Sequence, residues 1–297
     1  MIFDRAVVLD IGLVGGGTVR VTDLRVTFDI SKKRGAATNS TKIEVYNLSK
    51  QNRDKIKQQG AYIHLQGGYN QGASVEDIFS GDAQYVLHRH EPPEVVTEIE
   101  CQDGVKSLRE SILSCSFGPG ASGQQVFKKI SDALGFPLSH PSNANITGTF
   151  PNGFAYHGPA RAALDKVTKR FGLEWSVQYG ALQIMPFDGN NGDGPIPLSA
   201  GTGLIGSPQR LFYTAGQLDG QLKAHTKLPS SNKEGAPAEI VATGYKVKSL
   251  LIPKTIPGGR IQLDTLEVKG TYRIEAVHHT GDTRGQDWYT EIEVVER

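Results

Sequence analysis

The stretch Gly270-Thr271-Tyr272-Arg273-Ile274-Glu275-Ala276-Val277-His278-His279-Thr280-Gly281-Asp282, answered by Asp287-Trp288-Tyr289-Thr290-Glu291-Ile292-Glu293-Val294, decides the fold class. Tyr272, Ile274 and Ala276 alternate with polar residues, and Trp288, Thr290, Ile292 and Val294 do the same. A period of two marks a half-buried strand, because successive side chains leave opposite faces. The pair reads as a long hairpin around a polar loop from His279 to Asp287. The same period recurs at Leu24, Val26, Phe28 and Ile30, with Val19 and Val21 in the opposite phase, which predicts a bulge near Thr22 and Asp23. It recurs at Ile43 and Val45, at Ala61, Ile63 and Leu65, at Ala83, Tyr85 and Leu87, and at Val95, Thr97, Ile99 and Cys101. Ile240 to Ala242, Leu250 to Ile252, and Ile261 with Leu263 add further strands. Between Ser49 and Gly60 a short polar helix is expected over about 50–59.

The middle of the chain has a different period. Val126, Ile130 and Leu134 fall on one helix face, started by Ser122 and stopped by Gly135. Ala160, Ala163, Leu164, Val167 and Phe171 do likewise between Pro159 and Gly172. Leu173, Trp175, Val177 and Tyr179, a turn at Gly180, then Leu182 and Ile184 make a hairpin. The expected organisation is mainly β with an α+β insertion: a β unit over 1–104, an α+β unit over 105–187 and a second β unit over 188–297. Residues 188–210 read as a loop-like boundary, and 216–238 as a long polar loop. No sequence repeat between the two β ends stands out.

Composition limits the function. The chain has 297 residues, 38% of them hydrophobic, and a net charge of +1 from 32 basic and 31 acidic residues. That balance disfavours a dedicated duplex-DNA binder, which carries a basic excess. Cys101 and Cys115 make neither a disulfide framework nor a zinc motif. No signal peptide and no membrane-spanning run is read, so no membrane insertion is expected. The three glycosylation-type triplets at Asn39, Asn47 and Asn145 then carry no meaning.

Candidate sites are weak. Gly201-Thr202-Gly203-Leu204-Ile205-Gly206 has the letters of a dinucleotide fingerprint, but Ser207-Pro208 follows where a helix is needed. His278, His279 and Asp282 fall short of a metal site, because adjacent strand residues point apart; His278 is the one expected in the interior. His88 and His90 read as a solvated strand end before Pro92-Pro93. Lys32-Lys33-Arg34 reads as a solvated hairpin tip. Glu98, Glu100, Asp103 and Glu110 have no glycosidase spacing. No catalytic residue, cofactor site or metal site is expected, and the chain reads as non-enzymatic.

Two segments are more specific. Thr41-Lys42-Ile43-Glu44-Val45-Tyr46-Asn47-Leu48-Ser49, running into Arg53 and Ile56, is one; the hairpin from Gly270 to Thr290 is the other. Between them lie Thr202 to Pro208, Leu250-Leu251-Ile252-Pro253 and Pro257-Gly258-Gly259. In this order they resemble the baseplate hub proteins of contractile-tailed bacteriophages, the late control protein D-like or tail-hub family. The resemblance spans nearly the whole chain. It implies two tail-tube-like β-barrels flanking the α+β unit, and a homotrimer whose six barrels face a hexameric tail tube ring. It also implies a central spike protein on the other side, other baseplate proteins around it, and a channel for the tape-measure protein and then DNA. The location implied is the virion tail, assembled in the host cytoplasm. The family has no shared catalytic residues to carry over. A peptidoglycan-binding or cell-wall-degrading tail-tip component is the alternative.

Overall fold

The computed structural model describes residues 4–13, 16–34, 39–56, 61–70, 75–140, 144, 146–187, 189–214 and 240–296. The expected loop at 216–238 and the helix stop at Gly60 lie outside them. The N-terminal unit holds β1 (Arg5–Gly12), β2 (Thr18–Val21), β3 (Val26–Lys33), β4 (Ser40–Tyr46), α1 (Lys50–Ile56), β5 (Tyr62–Tyr69), β6 (Glu76–Glu91) and β7 (Glu94–Gln102). Its strands run β3-β4-β7-β6-β5-β1-β2 in one sheet. The sheet curls so that Leu9, Ile11 and Ile63 from one half meet Phe28, Ile30, Ile43 and Ile99 from the other in one core. Burying each such side chain contributes about 1.5–3 kcal/mol.

The central unit holds α2 (Val105–Glu110), β8 (Ile112–Phe117), β9 (Ala121–Ser122), α3 (Gly123–Leu134), β10 (Leu138–Ser139), β11 (Thr149–Phe150), β12 (Phe154–Pro159), α4 (Ala160–Phe171), β13 (Leu173–Gln178) and β14 (Ala181–Pro186). The start of α3 is the one expected. Ser122 accepts from the backbone of Gln125, whose side chain accepts from the Ser122 backbone, a capping box. Gly135 and Gly172 end the two helices in the left-handed conformation. Val126, Ile130, Leu134, Leu164 and Val167 pack with Trp175 and Ile184 in a separate core.

The C-terminal unit holds β15 (Ile196–Ser199), β16 (Leu204–Thr214), β17 (Ile240–Leu250), β18 (Arg260–Asp264), β19 (Lys269–Asp282) and β20 (Trp288–Val295). So the segment read as a boundary loop contains β15 and most of β16. Pro208 and three nearby glycines break the alternation there, and β16 pairs irregularly with β17 between Ile205 and Gln209. The expected bulge near Thr22 is instead a turn separating β2 from β3. The polar loop expected from His279 begins only after Asp282.

The two β units repeat one architecture. β16-β17-β20-β19 and β3-β4-β7-β6 are four-stranded sheets of the same order. His88 stands opposite Thr97, and His279 opposite Thr290, with imidazole Nδ1 and hydroxyl hydrogen-bonded at 3.1 and 2.9 Å. Lys42 faces Glu100 and pairs diagonally with Glu98 at 3.0 Å; Lys246 faces Glu293 and pairs diagonally with Glu291 at 2.8 Å. The register slips between Ala83 and Tyr85 in β6 and between Ile274 and Ala276 in β19, three residues into each His-ended run. The sequence trace of this repeat is Thr-Glu-Ile-Glu, at 97–100 and again at 290–293.

The two units are one sheet. β3 pairs antiparallel with β19, from Ala276 opposite Lys33 to Asp282 opposite Thr27. The continuous order is β16-β17-β20-β19-β3-β4-β7-β6-β5-β1-β2.

Candidate functional site

Two features stand out: a buried polar junction holding the three units together, and a continuous polar face across both β units.

The junction lies where the end of β3 meets β13 and β19. Lys32 and Arg34, expected at a solvated tip, are both buried. The strand ends against other units rather than in water, which a local charge run cannot reveal. Arg34 pairs with Glu174 of β13 at 2.7 Å and with Glu275 of β19 at 2.8 Å. Arg273 reaches Glu275 at 3.2 Å and donates to the carbonyls of Phe187 and Gly189. Two guanidiniums and two carboxylates thus balance in a dry site. Asn39 donates to the Val177 carbonyl at 3.0 Å and accepts from the Lys33 backbone at 3.2 Å. The Lys32 ammonium sits 3.8 Å over the Tyr179 ring, whose hydroxyl donates to the Pro253 carbonyl at 3.0 Å.

Burial governs the acid–base behaviour of the junction. It pulls the Lys32 ammonium down to about 7, against the pull of Asp103 and Asp77. It pushes Asp103 up to about 6, against Lys32, Asn39 and the Gly180 amide. Burial, helped by the charge of Lys32, holds His279 well below its ordinary value, so this imidazole is neutral.

The polar face runs across β17, β20, β19, β3, β4 and β7. One row reads Lys248, Glu291, His278, Ser31, Ser40, Gln102; the next reads Tyr289, Thr280, Asp29, Lys42, Glu100. Most of its bases are held by its acids, and Lys248 lies 4.1 Å over the Tyr289 ring. His278 meets Asp29 at 2.9 Å, and Arg89 meets Glu44 at 2.9 Å and Glu98 at 3.3 Å. Arg25 meets Asp282 at 2.7 Å. The hydrogen bonds that Lys42 donates to Glu98 and then Glu44 hold it above its ordinary value, and the Lys246 ammonium holds Glu291 below its own. In each pair the base is a third or more open to solvent, and such solvent-screened pairs contribute about 0–1 kcal/mol each to stability. Their chemical effect is that, among the described residues, this face shows no uncommitted stripe of cations for a phosphate backbone to grip.

The other candidates fall elsewhere. His279, not His278, is the interior histidine, because the slip at Glu275 reverses the phase that the sequence suggested. Among the described residues no group of three His, Cys, Asp or Glu could hold a metal ion. Gly201 lies in a single 3-10 turn, Ala200–Thr202, and Leu204 opens β16. His90 and Glu91 are exposed at a hairpin tip, while His88 is tied to Thr97. Glu98 and Glu100 are on the polar face, Asp103 is in the junction, and Glu110 pairs with Arg109 at the surface. Cys101 is buried, and Cys115 half-buried. Among the described residues no helix is long and apolar enough to cross a membrane. The junction residues Glu174, Arg273 and Glu275 were missed, and the only signal for them was charge inside otherwise apolar alternation.

No family model and no curated protein matches the chain. Solved structures do. The 43 kDa tail protein of prophage MuSo2 from Shewanella oneidensis aligns over 99% of this chain and 98% of its own, with TM-score 0.63 and 11% identity. A tail protein from Neisseria meningitidis aligns over 99% and 97%, with TM-score 0.63 and 12% identity. An Escherichia coli component of the type VI secretion system, itself described as similar to the T4 bacteriophage tail proteins gp27 and gp5, aligns over 92% and 73%, with TM-score 0.56 and 10% identity. The fold is therefore that of phage tail proteins and their secretion-system counterparts, mainly β as expected.

Proposed function

We propose that this chain is the structural hub of a phage-type tail tip. Three copies form a ring that joins a hexameric tail tube to a trimeric central spike, and the polar face lines the channel. The observation that carries this reading is the duplication. One chain holds two equivalent four-stranded sheets joined edge to edge, so three chains supply six equivalent sheets, the number a sixfold tube ring requires. The tail proteins with the same fold over their whole length support a tail role. The paired charges suit a wall past which the tape-measure protein and DNA slide. The units are taken as 1–104, 105–187 and 188–297, the central one braced against the wall by the buried junction. Other baseplate proteins would surround the ring in the virion, and the role needs no catalytic residue, cofactor or metal.

The test is assembly. Light scattering should give a three-chain mass for the purified chain alone, or a complex holding three copies of it once tail tube protein is added, and electron microscopy should show a ring with a central hole. A mass of one chain at every concentration, with and without tube protein, refutes the reading.

A further inference from the structure

The two joined four-stranded sheets are bounded by β16 on one side and β6 on the other, and among the described residues part of each outer edge is unpaired. In β6, residues 76–82 pair with β5 and 82–91 with β7, so beyond Gln84 the side away from β7 pairs with no described strand. Among the described strands, β16 pairs with β17 alone. The duplication places β6 where β19 stands and β16 where β3 stands. His88 corresponds to His279 through its threonine partner, and Gln209 to Asp29, because these face the equivalent lysines Lys246 and Lys42.

We propose that β6 of one copy pairs antiparallel with β16 of a second copy, in the register of the β3–β19 joint inside each chain. This rests on the ring reading and names the interface that closes the ring. The internal register converts directly. Ala276 opposite Lys33 becomes Tyr85 opposite Tyr213, Val277 opposite Lys32 becomes Val86 opposite Phe212, and His278 opposite Ser31 becomes Leu87 opposite Leu211. These three converted pairs are apolar with apolar, and the next two, His88 opposite Arg210 and Arg89 opposite Gln209, are polar. Tyr85, Leu87 and Phe212 are also among the few large hydrophobic side chains left exposed, at 48%, 37% and 53%. The difference in polarity has a physical cause. The internal joint is tethered by its own chain and needs little affinity. A joint between copies must supply its own, through buried apolar area on a strand edge. Pro208, which has no N–H to offer, and the slip before Gln209 bound the pairing segment and keep the rest of the edge from recruiting strands at random.

The experiment joins Leu87→Cys to Leu211→Cys in one chain carrying Cys115→Ser. Oxidation, or a short bis-maleimide linker where disulfide geometry is unfavourable, should give a ladder of covalent species ending at three chains. Leu87→Cys with Arg210→Cys, one residue out of register and on the opposite face, should stay largely uncrosslinked. Independently, Tyr85→Lys with Phe212→Lys should weaken association at least tenfold while leaving tryptophan fluorescence unchanged. A three-chain ring that forms without crosslinking in this register, or that tolerates both lysines, overturns the inference and leaves the ring standing. A chain that never associates removes the ring and this interface together.

Discussion

Glu174→Gln should loosen the central unit from the β body. Glu174 is one of two carboxylates matched to Arg34 and Arg273, and the side-chain exposures are 1% for Glu174, 3% for Arg34 and 7% for Arg273. Neutralising it leaves two guanidiniums facing Glu275 alone, a net positive charge with almost no water. Breaking a buried pair in this way costs about 3–5 kcal/mol, because the abandoned charge keeps its desolvation penalty. Removing both partners of the 2.7 Å pair, as Arg34→Met with Glu174→Leu, leaves Arg273 and Glu275 paired and should recover most of that loss. The chain's two tryptophans separate the units: Trp175 lies in the central core and Trp288 in the N-terminal core. Urea unfolding followed in Trp175→Phe and Trp288→Phe backgrounds should show the Trp175 transition shifting to lower denaturant in Glu174→Gln and returning in the double variant. A loss below about 1 kcal/mol, or a double variant no better than the single, would refute the view that the junction is charge-balanced and dry.

Three shorter predictions use the same readouts. Lys32→Met should stabilise the protein most at neutral pH and below: a lysine whose folded value lies near 7 against 10.5 when unfolded contributes stability above the unfolded value and loses it as pH falls through 7. The variant's advantage, on the order of a few kcal/mol at pH 6, should therefore shrink as pH rises toward 10 in paired denaturation curves. Gly281→Ala would place a methyl 2.1 Å from the Phe28 ring, which packs edge-on against Trp288 at 5.5 Å; an overpacking cost of about 1–3 kcal/mol should appear in the Trp288 transition. Ser122→Ala removes the cap of α3 and should cost about 1 kcal/mol in the Trp175 transition while leaving that of Trp288 in place.

Period two and helix punctuation were enough to read most strands, both long helices and the β, α+β, β order. The reading failed at Ala83-Tyr85 and at Ile274-Ala276, where continued alternation would bury Tyr85 and Leu87 and expose Val277 and His279. The structure does the reverse after each register slip, because one extra residue swaps the faces of everything beyond it. The two failures fall at equivalent places, so the same bulge that hid the strand faces also hid the duplication. Four identical residues were too short a trace to announce it. The polar junction was illegible for another reason: Lys32, Arg34, Glu174 and Arg273 come from three distant segments, and each looks locally like an ordinary surface charge.

The two β units diverge most where their neighbours differ. Lys32 and Phe212 occupy corresponding positions, one beneath the Tyr179 ring of the central unit, the other half exposed. β3 meets β19 of its own chain and is covered by the central unit, so its end can carry buried charge that Glu174 and Glu275 neutralise. β16 has no such cover among the described residues, and a buried cation there would have no counter-charge, so the corresponding stretch is Leu211, Phe212 and Tyr213. In the proposed ring, where one chain fills two positions, this asymmetry has a use. The internal joint is made during folding and can be polar and locked, while the proposed joint between copies would be made during assembly and would have to be apolar enough to find its partner. The polar face shared by both units escapes the divergence, since Lys42 with Glu98 and Lys246 with Glu291 keep the same geometry on either side of the joint.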